Sequence, residues 1–205
     1  MVEAQRLRDL HFMAKAPDTK VVTSEGLPLK VYHGGQRGIN SFYNPNENPS
    51  YKPNNFYTNP SNRVGIYTSD EPWYAKQYAR GYSKDNREIY ELYLNHENPI
   101  EISYWESQLN RLKNLNPFKK ERALNPSIIR PEDKVRLLSN NDGLKWDIER
   151  VTFDGKNIKS ADAITYDNAG NIIPLSKRDN FKINDIRYGL FPIIGTTGYG
   201  MYNSK

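Results

Sequence analysis

The stretch that decides the fold is "GIYTSDEPWYAKQYA", residues 65–79, in which an apolar run passes directly into a helical pattern. The run over residues 63–70 predicts a strand that ends near Tyr67. Asp70 suits the N-cap of a following helix, and a proline two positions later is tolerated in a first helical turn. Because no loop separates strand and helix, their residues are expected to lie close together.

The helix that follows is expected to bring a second tyrosine to the strand. Its apolar positions recur at the spacing of one helical face: Ala75, Tyr78, Ala79 and Tyr82. Tyr78 then faces inward, eleven residues after Tyr67, on the opposite side of one slot. Two aromatic rings at stacking distance can sandwich a flat heterocycle, each adding about 0.5–1.5 kcal/mol beyond area burial. Tyr78 alone would be more typical of a core residue, and it is the pairing that indicates a binding site.

A second strand lies upstream in "LKVYHGG", residues 29–35, and is expected to end at His33. A tight hairpin would favour Asn-Gly or Asp-Gly at this point rather than a histidine. A lone histidine at a strand end is most often a satisfied hydrogen-bonding residue. Gly34, however, leaves its backbone N–H and C=O accessible to the edge of a flat ligand.

The remaining patterns predict a single domain over residues 1–189 that mixes helices with short strands, without βαβ alternation. The other expected segments are a helix at 2–14 that buries Leu7 and Leu10, an Asn/Pro-rich loop at 40–62, a strand at 88–94, a helical insertion at about 103–140, a hairpin at Asn168-Ala169-Gly170 and a tail at 190–205. Of the 23 positions in the loop, 12 are Asn or Pro, which excludes a regular ladder or helix. Its position directly after His33 suggests a cover over the site.

Composition limits the classes of function. The chain carries 29 Lys+Arg against 24 Asp+Glu, a net charge of +5, which mildly favours anionic ligands. The absence of cysteine excludes disulfides and thiolate metal sites. No run approaches the roughly 20 apolar residues of a membrane span, and no histidine pair has metal-ligand spacing. We expect a soluble protein with no metal and no membrane partner.

Three stretches carry a resemblance to a known family: "VYHGG" (31–35), "GIYTSDEPWYAKQYA" (65–79) and "YLNHENPIEI" (93–102). They resemble the ADP-ribosyltransferase fold of the His–Tyr–Glu type, shared by diphtheria-type toxins and poly(ADP-ribose) polymerases. The chain resembles in particular the ADP-ribosyltransferase domains in polyvalent proteins of phages and mobile elements. The resemblance implies an α+β fold in which split, mostly antiparallel sheets with flanking helices surround an NAD cleft.

The resemblance also implies roles for residues of this chain, with NAD as cosubstrate. His33 would hydrogen-bond the 2′-hydroxyl of the nicotinamide ribose, and the backbone of Gly34 would pair with the carboxamide. Tyr67 and Tyr78 would sandwich the nicotinamide ring. Ala75 occupies the position at which the polymerases have a serine that also holds the carboxamide, so one hydrogen bond is missing.

The catalytic acid opens the last core strand in this family, and the spacing of "NDIRYG" assigns it to Asp185, with Glu149 and Asp162 as alternatives. With His33 and Tyr67 it would complete the catalytic set. An acid near the 2′-hydroxyl stabilises the positive charge that develops on the ribose when nicotinamide leaves. A side chain as short as Asp favours slow mono-transfer over chain elongation.

The implied function is mono-ADP-ribosylation of a host protein, with nucleic acid as the alternative acceptor. Its expected location is the cytoplasm of a bacterial host, reached from a phage particle. The missing serine and the unsettled acid favour, as a second hypothesis, a non-catalytic module that binds NAD or ADP-ribose. An RNA 2′-phosphotransferase would need a set of basic residues that the sequence lacks, and a nucleic-acid-packaging protein rests on net charge alone.

Overall fold

The described residues form two α-helices, seven strands and three short 3-10 helices, the last at Lys84–Asn86, Gly155–Asn157 and Leu175–Lys177. The computed structural model describes residues 2–42, 65–101, 141–146 and 148–187. The helices are α1 (Val2–Lys15) and α2 (Pro72–Ala79). The strands are β1 (Val31–Gln36), β2 (Ile66–Ser69), β3 (Arg87–Leu94), β4 (Pro99–Glu101), β5 (Gly143–Trp146), β6 (Glu149–Thr152) and β7 (Ile158–Ser160). Most of the Asn/Pro-rich loop, the helical insertion and the tail lie outside the described residues.

The strands of the described residues form one mixed sheet in the order β4-β5-β6-β2-β1-β3-β7. β4 and β5 run parallel, and every other neighbouring pair is antiparallel. Together with the two helices, this arrangement confirms the α+β class and the mostly antiparallel pairing predicted from the sequence.

Of all neighbouring strands in the sheet, β1 and β2 have the fewest paired residues. These strands share one register pair, Tyr32 with Ser69, whereas β1 and β3 are paired over six residues and β2 and β6 over four. The sheet therefore divides into two halves, β4-β5-β6-β2 and β1-β3-β7. A division at this place is consistent with the split sheet that the sequence resemblance implies.

β1 continues beyond the histidine at which the sequence predicts its end. Gly34 and Gly35 both pair with residues of β3, so that His33 lies within the strand. Glycine inside a strand often marks the close approach of another backbone. Here that backbone belongs to α2, because a Cβ added at Gly34 would overlap the carbonyl oxygen of Ala75. Helix packing, rather than a turn, therefore explains the glycine at this position.

Three apolar clusters stabilise the described part of the chain. The largest contains Val21, Val31, Phe42, Ile66, Leu92, Leu94, Ile158 and Ile186. A second joins α1 to β3 and contains Phe12, Ala16, Tyr93 and Ala161. The third contains Leu144, Val151 and Phe153, with Tyr67 packed against it. Burying one such aliphatic or aromatic side chain contributes about 1.5–3 kcal/mol, and the third cluster fixes one of the predicted site tyrosines.

α1 confirms the predicted helix but not its predicted buried face. The apolar spacing predicts burial of Leu7 and Leu10, yet both side chains are nearly half exposed. Arg8 is buried instead, and its guanidinium donates hydrogen bonds to the carboxylate of Asp179 and to the carbonyl oxygen of Ser160. A buried charge is tolerated when it is paired in this way. The ion pair therefore overrides the apolar periodicity of the helix.

The predicted hairpin is a tight turn with a single bridge, between Tyr166 and Ile172. Gly170 has a φ of 83°, a left-handed conformation that glycine adopts without strain. The Asp167 carboxylate accepts hydrogen bonds from the backbone N–H groups of Ala169 and Asn171.

In the part of the chain that the structure describes, no helix has the length and apolar character needed to cross a membrane.

Candidate active site

Four side chains of β2 and β6 share one face of the sheet. In the register of these strands Tyr67 lies opposite Val151 and Ser69 lies opposite Glu149. Paired residues, and residues two apart on one strand, point to the same side of a sheet. An aromatic ring, a hydroxyl and a carboxylate are thus brought together, with Glu149 at the first position of β6. We term this side the Tyr67 face.

α2 brings the second predicted tyrosine to the carboxylate on this face. The hydroxyl of Tyr78 donates a hydrogen bond of 2.8 Å to Oε1 of Glu149. Partial burial, followed by hydrogen bonds with Tyr74 and Glu149, raises the pKa of Tyr78 above its ordinary value, so the hydroxyl remains a donor at neutral pH. The Tyr78 side chain is 52% exposed rather than fully turned inward as the sequence predicts. Its ring therefore remains accessible to a ligand.

Gly34 and Ala75 meet where α2 crosses β1. Ala75 is buried, and its carbonyl oxygen occupies the place of a Cβ on Gly34. Gly34 lies two residues after Tyr32 and therefore on the same face of the sheet as Ser69, the register partner of Tyr32. Both residues predicted to contact a carboxamide are thus adjacent to the Tyr67 face, and Ala75 contributes no hydroxyl.

His33 points to the opposite face of β1 and is joined to the site through the backbone of Tyr67. Its Nδ1 lies 2.7 Å from the carbonyl oxygen of Tyr67. A carbonyl can only accept, so Nδ1 carries the proton and Nε2 is the acceptor of the neutral ring. Burial lowers the pKa of His33, opposed by the bond to Tyr67. The neutral imidazole, packed edge-on against Phe42 at 4.7 Å between ring centroids, therefore offers one lone pair.

An ion pair that the sequence analysis does not foresee joins β2 and β6 beside Glu149. Nε and Nη2 of Arg150 lie 2.5 and 2.9 Å from the two carboxylate oxygens of Asp70. The predicted N-cap role of Asp70 is therefore wrong: Glu71 occupies the N-cap of α2, and its side chain makes no capping bond. The Asp70 carboxylate is engaged by the guanidinium instead, and the pair fixes the start of β6.

Of the three acids considered from the sequence, the structure brings Glu149 to the tyrosines. The Asp185 carboxylate accepts hydrogen bonds from the backbone N–H and from Nη2 of Arg187, at 2.8 and 2.9 Å. Ile186 bonds to Ser160 of β7 and to Asn40, and Asp185 bridges Ser41, so this segment pairs both with β7 and with the residues that follow β1. Asp162 accepts a hydrogen bond within the turn that follows β7. The assignment of the catalytic acid to Asp185 stays a prediction, and the carboxylate that contacts Tyr78 in the structure is that of Glu149.

Among the described residues, no group of three or more His, Asp or Glu side chains is placed to hold a metal ion. The site consists instead of two aromatic rings, a neutral imidazole and a carboxylate. Such groups suit the binding of a flat heterocycle and the stabilisation of developing positive charge.

The split sheet, its two helices and this set of side chains fit the class of ADP-ribosyltransferases. A family model described as "ADP-Ribosyltransferase in polyvalent proteins" matches residues 23–170. The match covers more than half of the 205 residues, and the chain therefore belongs to this family. The matched range includes His33, Tyr67, Tyr78 and Glu149 and ends before Asp185. No curated protein and no solved structure matches the chain.

Proposed function

We propose that the chain is an NAD-dependent mono-ADP-ribosyltransferase that modifies a macromolecular acceptor. Membership of an ADP-ribosyltransferase family supports the transfer of ADP-ribose in general. The observation that carries the fuller proposal is the hydrogen bond from Tyr78 to Glu149, because it links the second tyrosine to a carboxylate on the Tyr67 face. NAD is the cosubstrate that this combination suits.

In this proposal the chain's own residues bind and orient the nicotinamide riboside portion of NAD. Tyr67 and Tyr78 stack on the nicotinamide ring, and the backbone of Gly34 pairs with the carboxamide. His33, with Nδ1 held by the Tyr67 carbonyl, accepts a hydrogen bond from a ribose hydroxyl at Nε2. β1 and β2 share a single register pair, and we place the ligand at this junction, where it would contact both faces of β1.

The proposed reaction breaks the bond between C1 of the ribose and the nicotinamide nitrogen. The electron pair of that bond leaves with nicotinamide, a lone pair of the acceptor forms the new bond at the same carbon, and the acceptor's proton is released to solvent. Positive charge on the ribose is larger in the transition state than in bound NAD. A fixed carboxylate therefore lowers the barrier, and we assign this role to Glu149 rather than Asp185.

Nicotinamide release from labelled NAD tests this proposal without knowledge of the acceptor. We expect Glu149→Gln to lower the rate by about 10²–10³-fold, the loss typical of one electrostatic stabiliser. Asp185→Asn is the matched control and should change the rate by no more than about two-fold. A larger loss in Asp185→Asn than in Glu149→Gln would reverse the assignment. Wild-type protein that neither releases nicotinamide nor labels a host lysate would refute the enzyme, and mass spectrometry of the product separates one ADP-ribose from a chain.

The alternative is a module that binds NAD or ADP-ribose without turnover, and Ala75 is the observation that favours it. The buried methyl group of Ala75 supplies no hydroxyl where the resemblance predicts one. Calorimetry that detects NAD binding, together with no nicotinamide release, would support this alternative. Release that is lost in Glu149→Gln would exclude it.

We also propose that the transferase acts in the cytoplasm of a bacterial host, on host targets, after delivery by a phage or another mobile element. The support is the occurrence of the family in polyvalent proteins. Expression in a bacterial host, compared with the Glu149→Gln variant, should give labelled host macromolecules in the wild type alone. Equal labelling in both strains would argue against it.

A further inference from the structure

We propose that the exposed side of α2, with the turn after it, docks a single-stranded nucleic acid. This surface, termed the α2 face, consists of Trp73, Lys76, Arg80, Tyr82 and Lys84. All five side chains are exposed, including 53% of Trp73 and 40% of Tyr82. The inference rests on the proposed function, because the docked strand would present the nucleophile that accepts ADP-ribose.

The composition of this segment combines aromatic and basic residues with no acid. Residues 72–84 contain four aromatic side chains, three basic ones, and neither Asp nor Glu. Within the described ranges, no carboxylate forms an ion pair with any of the three cations of the α2 face. Cations without internal partners are available to phosphates, and exposed rings are available to bases.

The rings form a row that leads from the exposed surface to the candidate site. Trp73 packs edge-on against Tyr74, and Tyr74 packs edge-on against Tyr78, each pair with ring centroids 5.5 Å apart. Tyr78 in turn contacts Glu149. A strand stacked on Trp73 would therefore be linked through the rings of Tyr74 and Tyr78 to the Glu149 carboxylate, at which transfer is proposed. An acceptor must lie close to this carboxylate.

Charge complementarity favours a nucleic acid over a protein on the α2 face. The centres of protein–protein interfaces are depleted of charge, whereas on the α2 face Lys76 and Arg80 lie between Trp73 and Tyr82 along the chain. Single-strand binding sites join a cationic track to aromatic side chains, since every base has a face that can stack. A base or sugar nucleophile of the strand would supply the lone pair to the ribose carbon, and its N–H or O–H proton would pass to solvent.

Fluorescence anisotropy of labelled single-stranded DNA and RNA oligonucleotides tests the docking. We expect Trp73→Ala to weaken binding by about 5- to 150-fold, the effect of losing one stacked base, and Trp73→Phe to retain most of it. The double variant Lys76→Ala/Arg80→Ala should reduce the slope of log K against log salt by about 1.4. Tyr166→Ala and Lys177→Ala, at exposed positions elsewhere, are matched controls that should bind like the wild type.

Nicotinamide release measured without oligonucleotide separates this inference from the proposed function. Trp73→Ala should leave that release unchanged while it lowers transfer of ADP-ribose to a subsaturating oligonucleotide by about 5- to 150-fold. Docking is overturned if the wild type binds no strand at low salt, or if the α2-face variants bind like the wild type. A third outcome also overturns the docking proposal. In it, the wild type labels proteins of a nuclease-treated lysate, Trp73→Ala loses that labelling, and no strand binding is detected. Trp73-dependent binding with no nicotinamide release would refute the transferase and leave the docking surface supported.

Discussion

The Glu149 carboxylate accepts a 2.8 Å hydrogen bond from the Tyr78 hydroxyl, so α2 and β6 meet at the acid proposed for catalysis. Glu149 is also the register partner of Ser69 at the end of β2. The carboxylate is therefore positioned by a strand pair on one side and by a helix on the other. In the proposed function, Tyr78 would act as a positioning residue for the acid as well as a stacking residue for the nicotinamide ring.

Tyr78→Phe separates these two roles, because it removes the hydroxyl and keeps the ring. Hydrogen bonds to charged groups contribute about 1.5–3 kcal/mol, and the exposure of Tyr78 reduces this to about 1 kcal/mol here. We expect steady-state kinetics of nicotinamide release to give a kcat about five-fold lower with KM for NAD nearly unchanged. Tyr78→Ala should raise KM as well, because the stacking ring is lost. An equal rise of KM in both variants would contradict the positioning role, and Tyr74→Phe is the control.

Gly34→Ala tests whether the contact between β1 and α2 is required. A Cβ at Gly34 would overlap the carbonyl oxygen of Ala75 and lie 3.1 Å from the amide nitrogen of Ala79. Both atoms belong to helix backbone and cannot rotate away, so α2 must shift at a cost of about 1–3 kcal/mol. We expect urea denaturation to detect this loss, and calorimetry to detect weaker NAD binding.

Gly81→Ala is the matched control for that substitution. A Cβ at Gly81 meets only the Tyr78 carbonyl oxygen at 3.7 Å, an ordinary contact. This variant should keep wild-type stability within about 0.5 kcal/mol. Equal destabilisation by both alanines would mean that the close approach at Gly34 does not matter.

Local sequence patterns predict the elements of the site but not their spatial order. The apolar run and the helical spacing at residues 65–79 give β2 and α2, because each pattern depends on neighbours within a few positions. The choice between Asp185 and Glu149 depends on which strand lies beside β2. That order is set by packing between segments distant in the chain, which a local pattern does not contain.

Ion pairs account for two further differences between the sequence analysis and the structure. The apolar spacing of α1 predicts burial of Leu7 and Leu10 rather than of Arg8, and the sequence predicts that Asp70 caps a helix. In the structure Arg8 and Asp70 each pair with a partner far along the chain, Asp179 and Arg150 respectively. A charged side chain is assigned to solvent by default, and only the position of its partner reveals that it is buried.

Asp70→Asn should destabilise the fold around Glu149. The substitution leaves the Arg150 guanidinium, whose side chain is 8% exposed, without its carboxylate. Breaking a fully buried pair from one side costs about 3–5 kcal/mol, and the partial exposure of Asp70 reduces this to about 2 kcal/mol. Chemical denaturation measures the loss. Glu3→Gln, which breaks the exposed pair with Arg6, is the control and should leave the denaturation midpoint unchanged.

His96 should make the stability of the fold depend on pH. Its side chain is fully buried, Nε2 lies 2.9 Å from the Thr152 hydroxyl, and Gly143 lies against the ring. Burial lowers the pKa of His96 from 6.5 to about 4; nearby Asp142 opposes the shift and Arg150 adds to it.

The unfolded chain therefore binds a proton that the folded chain excludes between these two pH values. Stability from this group is fully present above about pH 6.5 and decreases by up to roughly 3 kcal/mol as the pH falls toward 4. Denaturation curves across this range should detect the decrease. His96→Gln, although less stable at pH 7, should lose that part of the slope, while the part contributed by His33, whose pKa burial also lowers, should remain. An unchanged slope in His96→Gln would show that another group titrates.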